Sequence, residues 1–223
     1  MLEEKKKDGL AETIKTVVYA VIIAVLIRSF LFEPFRIPSG SMYPTLEVGD
    51  YLFVSKYTYG YSRYSFPTGL LPFKGRIWQS MPERGDIVVF KFPADNKTDF
   101  IKRIIGLPGD TVYLRKGRLY INDKLVERKV VGDYTIKEFV VRPETYTEYT
   151  EMLPNNFTHK ILEVSDYEPQ VDNTTKVTVP EGHIFVMGDN RDRSDDSRVS
   201  VGFVPLENMV GKAQILFFSH NDK

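Results

Sequence analysis

The chain of 223 residues contains no cysteine. That absence excludes disulfide scaffolds, thiolate zinc sites, iron–sulfur clusters and cysteine nucleophiles, and it leaves the redox compartment open. Histidine is nearly absent too, with His159, His183 and His220 far apart and in no HExxH arrangement. A multi-histidine metal site or a Ser-His-Asp triad therefore has little material, and no metal or other cofactor is expected. Charge of one sign is also missing: 30 Lys and Arg balance 30 Asp and Glu, giving a formal net charge of zero. Broad electrostatic attraction to nucleic acid is thus not expected. With 42% hydrophobic and 27% charged residues the composition excludes wholesale disorder. The length suits one domain with a smaller lobe.

One long apolar run is present. Residues 1–12 are polar and include Lys5, Lys6 and Lys7, and residues 13–33 read as a membrane anchor. Twenty helical residues span about 30 Å, the thickness of a bilayer core. The uncharged part, Thr16 to Ile27, covers only about 18 Å, so Lys15 and Arg28 must snorkel toward opposite interfaces. The competing readings are a cleavable leader and a buried helix. The segment Ser29-Phe30-Leu31-Phe32-Glu33-Pro34 offers no small-x-small cleavage site, which disfavours the leader. The lysine cluster places residues 1–12 on the cytoplasmic side and residues 34–223 outside.

The rest reads as an all-β domain with antiparallel pairing. Short runs rich in β-branched and aromatic residues occur at 51–55, 86–92, 100–105, 111–114, 118–121, 176–179, 184–187 and 214–218, separated by Gly, Pro, Asn and Asp turn signals. Residues 111–181 form an inserted, variable lobe, and 124–175 within it are polar with weak strand signals. Residues 57–78 interleave Tyr57, Tyr59, Tyr61, Tyr64, Phe66, Phe73 and Trp78 with Gly, Pro and basic residues. These rings either pack on the sheet or rest on lipid headgroups.

Three clusters carry chemistry. In Pro38-Ser39-Gly40-Ser41-Met42-Tyr43-Pro44 two prolines flank a flexible glycine, so the backbone around Ser41 is shaped, although Ser-Gly-Ser alone is also a common linker. A serine nucleophile needs a base, and with so few histidines a desolvated lysine is the natural one. Strand alternation puts Lys102 on one face with Phe100 and Ile104. Lys102 is either a desolvated base or a lysine that snorkels from an edge strand. The run Gly188 to Arg198 alternates acids and bases; Arg191, Arg193 and the lack of a closing Glu disfavour a calcium loop and favour an ion-paired one.

Taken together, Pro38 through Leu46, Arg84-Gly85-Asp86-Ile87-Val88-Val89-Phe90, Ile101-Lys102-Arg103-Ile104-Ile105-Gly106-Leu107-Pro108-Gly109-Asp110, and Gly188-Asp189-Asn190-Arg191-Asp192 onward to Gly202-Phe203-Val204-Pro205 resemble, in order, the motifs of bacterial type I signal peptidases. These are membrane-anchored Ser-Lys endopeptidases that remove signal peptides from exported proteins. The likeness covers residues 33–110 and 182–218, and is loose over 111–181. It implies two antiparallel sheets with an inserted lobe, Ser41 as nucleophile and Lys102 as general base. It further implies an oxyanion hole from the Ser39 hydroxyl and the Ser41 N–H, Ser194 orienting the Lys102 ammonium, and an Asp196–Arg198 pair supporting the loop. Phe35, Ile37, Met42, Leu46, Leu52, Asp99, Phe100 and Ile101 match substrate-binding positions that favour small residues before the cut. The implied partners are signal peptides and membrane lipid, with no nucleic acid. The implied location is the cytoplasmic membrane, crossed once, with the catalytic domain on the outer, periplasmic side. Two departures stand out: three residues, Val199-Ser200-Val201, separate Arg198 from Gly202 where many relatives have two, and one apolar span is found where some relatives have two. The rival readings are a self-cleaving Ser-Lys regulator and an anchored β domain that only binds a partner.

Overall fold

The computed structural model describes residues 2–66, 73–136, 144–164 and 171–219. It opens on one long helix, α1 (Leu2–Phe30), whose apolar stretch Leu10–Phe30 is long enough to cross a membrane and is not buried within the fold. The helix begins well before the apolar run, because Leu, Glu, Lys and Ala at its start are good helix formers. It also ends earlier than the expected boundary at residue 33. Pro34 disfavours helical backbone at Glu33, and Phe32 and Glu33 instead open β1 (Phe32–Arg36).

The body is antiparallel β-structure. In chain order it comprises β2 (Tyr51–Ser55), β3 (Ile87–Lys91), β4 (Asp99–Gly106), β5 (Thr111–Arg115), β6 (Arg118–Ile121), β7 (Lys124–Leu125), β8 (Glu127–Ile136), β9 (Glu144–Met152), β10 (Thr158–Glu163), β11 (Val177–Thr178), β12 (His183–Met187), β13 (Val204–Pro205) and β14 (Met209–Phe218). The main sheet runs β1-β2-β14-β3-β4-β12-β13. Alternation along β3 sends Val88 and Phe90 into one core with Ile104, Val186 and Met209, and Val89 into another with Leu52, Val54, Ile101 and Val210. Register shifts in β14 and β12 curl the sheet.

Residues 111–181 carry two further sheets among the described residues, β11-β5-β6-β7 and β10-β9-β8. The four-stranded sheet shares a core with the main one through Ile105, Phe185 and Met187. The three-stranded ribbon, where only weak strand signals were expected, contains long strands. Most β8 positions are exposed or half-exposed, so apolar residues do not alternate with polar ones there, and the period-2 signal is lost. Its anchors on the site side are Ile136 and Tyr146, packed against Tyr43 and Leu162.

In the ring-rich segment some rings pack within the fold and others are exposed. Tyr59 is buried and donates its hydroxyl proton to Asp86 at 2.8 Å. Trp78, in contrast, is 81% exposed and meets Tyr61, which packs on Phe30 at the end of α1. Residues 67–72 lie outside the described residues.

Candidate active site

The backbone after β1 is shaped to present a hydroxyl. Ser39 is extended, and Gly40–Met42 form a single 3-10 turn. A Cβ on Gly40 would lie 2.6 Å from the Tyr43 ring, so this turn requires glycine. The turn is held from behind: the Asn190 backbone N–H donates to the Ser41 carbonyl at 3.1 Å, and the Asn190 amide donates to the Gly40 carbonyl at 3.2 Å.

Lys102 reaches this turn from β4, opposite Val88 of β3. Its Nζ lies 2.7 Å from Ser41 Oγ. The snorkelling alternative fails here: Lys102 is only 4% exposed, although β12 pairs with β4 only from Arg103 onward. Burial pushes the ammonium down from an ordinary 10.5 to about 8. The carboxylates of Asp196, Asp195 and Asp189 oppose that shift and Arg198 assists it. The Phe100 ring, 5.5 Å from Nζ, forms one apolar wall.

The loop after β12 carries three buried ion pairs, through Asp189, Arg191 and Arg198. Asp196 and Arg198 are fully buried and bridge at 2.9 Å. Asp196 also accepts from the Gly188 N–H at 3.0 Å, and Arg198 donates to the Arg191 carbonyl at 2.6 Å. Desolvation would raise the Asp196 carboxyl, yet Arg198 and these donors hold it below the usual range. Asp195 accepts from Ser200 and Asp192 from the Val164 N–H, so each carboxylate of the loop is engaged by protein donors. Asp189 pairs with Arg103 through two bonds of 2.8 and 2.6 Å and accepts from the Thr45 hydroxyl at 2.5 Å. Among the described residues no group of His, Asp and Glu is arranged to hold a metal.

Several of these partners have no sequence signal. Arg191 grips the buried Glu151 of β9 through both carboxylate oxygens. His159 of β10 sits between Glu151 at 3.4 Å and Asp189 at 3.9 Å. Desolvation lowers its pKa to about 4, against the pull of Asp189 and Glu151, so it is neutral near pH 7. The partners lie about 30–40 residues away in a polar lobe, and only the fold brings them together.

The remaining expected residues divide. Ser39 Oγ is 3.4 Å from Ser41 Oγ, and Ser39 is exposed. Ser194 is buried near the dyad, with its Oγ 2.3 Å from the position a Cβ on Gly188 would take. Among the described residues that hydroxyl makes no hydrogen bond, to Lys102 or to any other group. Asp99, Phe100 and Ile101 line a cleft of about 600 Å³ with Ser39, Ser41 and Lys102. Ile37, Met42, Leu46 and Leu52 pack in the core behind that cleft, and Phe35 packs against their cluster. Ile136, Tyr146, Asn190 and Arg193 form its far wall. One edge of β4 is open beside the cleft: β12 pairs only as far as Arg103, while β3 pairs down to Asp99. Among the described residues no strand covers residues 99–102 on that side.

Comparison with known proteins follows this geometry. The family model described as signal peptidase, peptidase S26, matches residues 10–218. The signal peptidase I of Rickettsia akari is 47% identical over 208 residues, covering 90% of this chain and 77% of the relative. That of Rickettsia canadensis is 46% identical over 216 residues, covering 94% and 80%. A solved signal peptidase I from Enterococcus faecalis aligns at 31% identity with a TM-score of 0.36, covering 60% of this chain and 98% of that one.

The site is equipped to activate a serine by an uncharged amine, and its pH dependence follows. A lysine near 8 is neutral in about one copy in ten at pH 7, against about three in ten thousand for an unperturbed lysine. Acylation of Ser41 by a serine-reactive probe should rise with pH through an apparent pKa near 8. The unfolded chain binds the Lys102 proton more tightly than the folded one, so a penalty of about 3 kcal/mol is present below pH 8 and fades toward 10.5. Lys102→Met should cut labelling by about 10²–10⁴ and leave the melting temperature at pH 7 unchanged or higher. Wild-type labelling, or a variant that melts well below wild type, contradicts the assignment.

Proposed function

Since the chain belongs to the peptidase S26 family of signal peptidases, we propose that it removes signal peptides with Ser41 as nucleophile and Lys102 as general base. The observation that carries this reading is the 2.7 Å contact between Lys102 Nζ and Ser41 Oγ in a buried setting. The neutral amine takes the Ser41 proton as Oγ attacks the scissile carbonyl carbon. The resulting oxyanion is held by the Ser41 N–H and the Ser39 hydroxyl. The intermediate collapses, the C–N bond breaks, and the Lys102 ammonium gives its proton to the departing amine. A water then attacks the Ser41 ester with Lys102 again as base, the ester C–O bond breaks, and Ser41 is reprotonated. Ser194, close by and with its hydroxyl unpaired among the described residues, is suited to accept a hydrogen bond from the Lys102 ammonium and so orient it once substrate fills the cleft.

The open edge of β4 supports an extended substrate that adds as a strand along residues 99–102. Small side chains before the cut suit a cleft lined by Ile101, behind which Ile37 and Leu52 are close-packed. α1 anchors the domain with residues 1–12 in the cytoplasm and the cleft on the outer face, as Lys5–Lys7 direct. Aromatic residues support the seat on the bilayer: Phe53 stacks on Phe217 at 4.2 Å, and Trp78, Phe217 and Phe218 are exposed.

Two tests follow. The full chain in detergent should cleave a synthetic signal peptide after Ala and fail when that Ala is Phe; equal turnover of both would remove the small-residue pockets. Ser39→Ala should lower kcat by about 10²–10³ with little change in KM, whereas a pure KM effect would make Ser39 a ground-state contact. A reporter active only outside the cytoplasm, fused after Lys223, should be active; a silent but stable fusion contradicts the orientation.

A further inference from the structure

The cleft continues past the dyad. Asp99 lines both it and a second cavity of about 360 Å³, which also has Phe35 in its wall and Arg28 of α1 at its rim. Four cations surround this second cavity, Arg28, Lys56, Lys91 and Lys97, against two carboxylates, Glu33 and Asp99. Glu33 is shared by Arg28 at 2.5 Å and the buried Lys56 at 2.8 Å. Lys91 bridges Asp99 at 2.8 Å. Lys97 is exposed and in no salt bridge among the described residues. The cavity therefore holds a surplus of positive charge on the same groove that reaches Ser41.

Its place along a substrate follows from strand geometry. Asp99 precedes Lys102 by three residues, about 10 Å along β4. A substrate strand on the open edge of β4, with its cut at Ser41, brings its fourth residue before the cut abreast of Asp99, and the next residues enter the cationic cavity. On the signal-peptidase reading, which fixes the substrate's direction, we infer that the cavity at Lys91 and Lys97 is an upstream subsite that receives roughly the fourth to sixth residues before the cut and rejects cationic side chains there. It accepts acidic or neutral polar ones. A signal peptide keeps its positive charges at the far end of its apolar stretch. A cationic subsite therefore penalises any register that draws those charges toward Ser41, which helps to place the right bond at the nucleophile by repulsion as well as by fit.

The test uses the full chain in phosphatidylcholine vesicles and three peptides identical except for Glu, Gln or Lys at the fifth residue before the cut. The Glu peptide should exceed the Lys peptide by about tenfold in kcat/KM, mostly through KM, and the gap should shrink as salt rises. Lys97→Glu should narrow or invert that ratio. Equal cleavage of all three peptides overturns the subsite and leaves the peptidase reading standing. A charge preference that Lys97→Glu leaves untouched overturns it as well. Equal cleavage together with a tightly bound phosphatidylglycerol, seen by native mass spectrometry and lost in Lys97→Glu, gives the cavity to a lipid headgroup instead. Failure to cleave any of the peptides strikes the peptidase reading itself and the subsite with it.

Discussion

The structure depends on keeping one amine out of water. The proposed role of Lys102 as base rests on burial against Phe100 and the strands beside it, which disfavours its charge. Three carboxylates stand near it and would restore that charge. The fold disarms them: Asp196 is spent on Arg198, Asp189 on Arg103, and Asp195 accepts from Ser200. The ion-paired loop is thus an electrostatic insulator for the amine as well as a scaffold. Removing Arg198 while leaving Asp196 would expose the amine to an uncompensated negative charge at full strength.

The same loop ties the nucleophile to the lobe. Asn190 holds the Ser41 and Gly40 carbonyls, while its neighbours Asp189 and Arg191 are gripped by Arg103 and Glu151. Buried ion pairs of this kind contribute little net stability, because desolvation offsets the Coulomb attraction, but breaking one by removing a single partner typically costs about 3–5 kcal/mol. Their role here is to fix geometry. Neutral His159 fits that arrangement, since two arginines already balance Glu151 and Asp189 and a further positive charge would have no partner.

Much of this was legible in the sequence, for identifiable reasons. The strands at 51–55 and 118–121 showed their bounds because their residues are β-branched and aromatic between clear turns. Lys102 stood out through its alternation with Phe100 and Ile104, but alternation cannot say whether that face is covered. That depended on the turn at Ser41, 61 residues earlier, and on the loop after β12, far later in the chain. The β8 strand escaped because most of its positions on both faces meet water. Glu151 and His159 escaped because a buried charge looks like a surface charge until its partner is known. The helix boundary near residue 33 moved because Pro34 acts on the residue before it as well as on itself.

The most direct measurement is the titration of Lys102 itself. Lysines labelled with ¹³C at Cε report protonation through chemical shift, and the Lys102 resonance is assigned by its loss in Lys102→Met. A midpoint near 8 in the folded full-length chain is the expected result. A midpoint above about 10, the range of an unperturbed lysine, would mean that the amine stays charged at the pH of the cell and would contradict the assignment of Lys102 as the base.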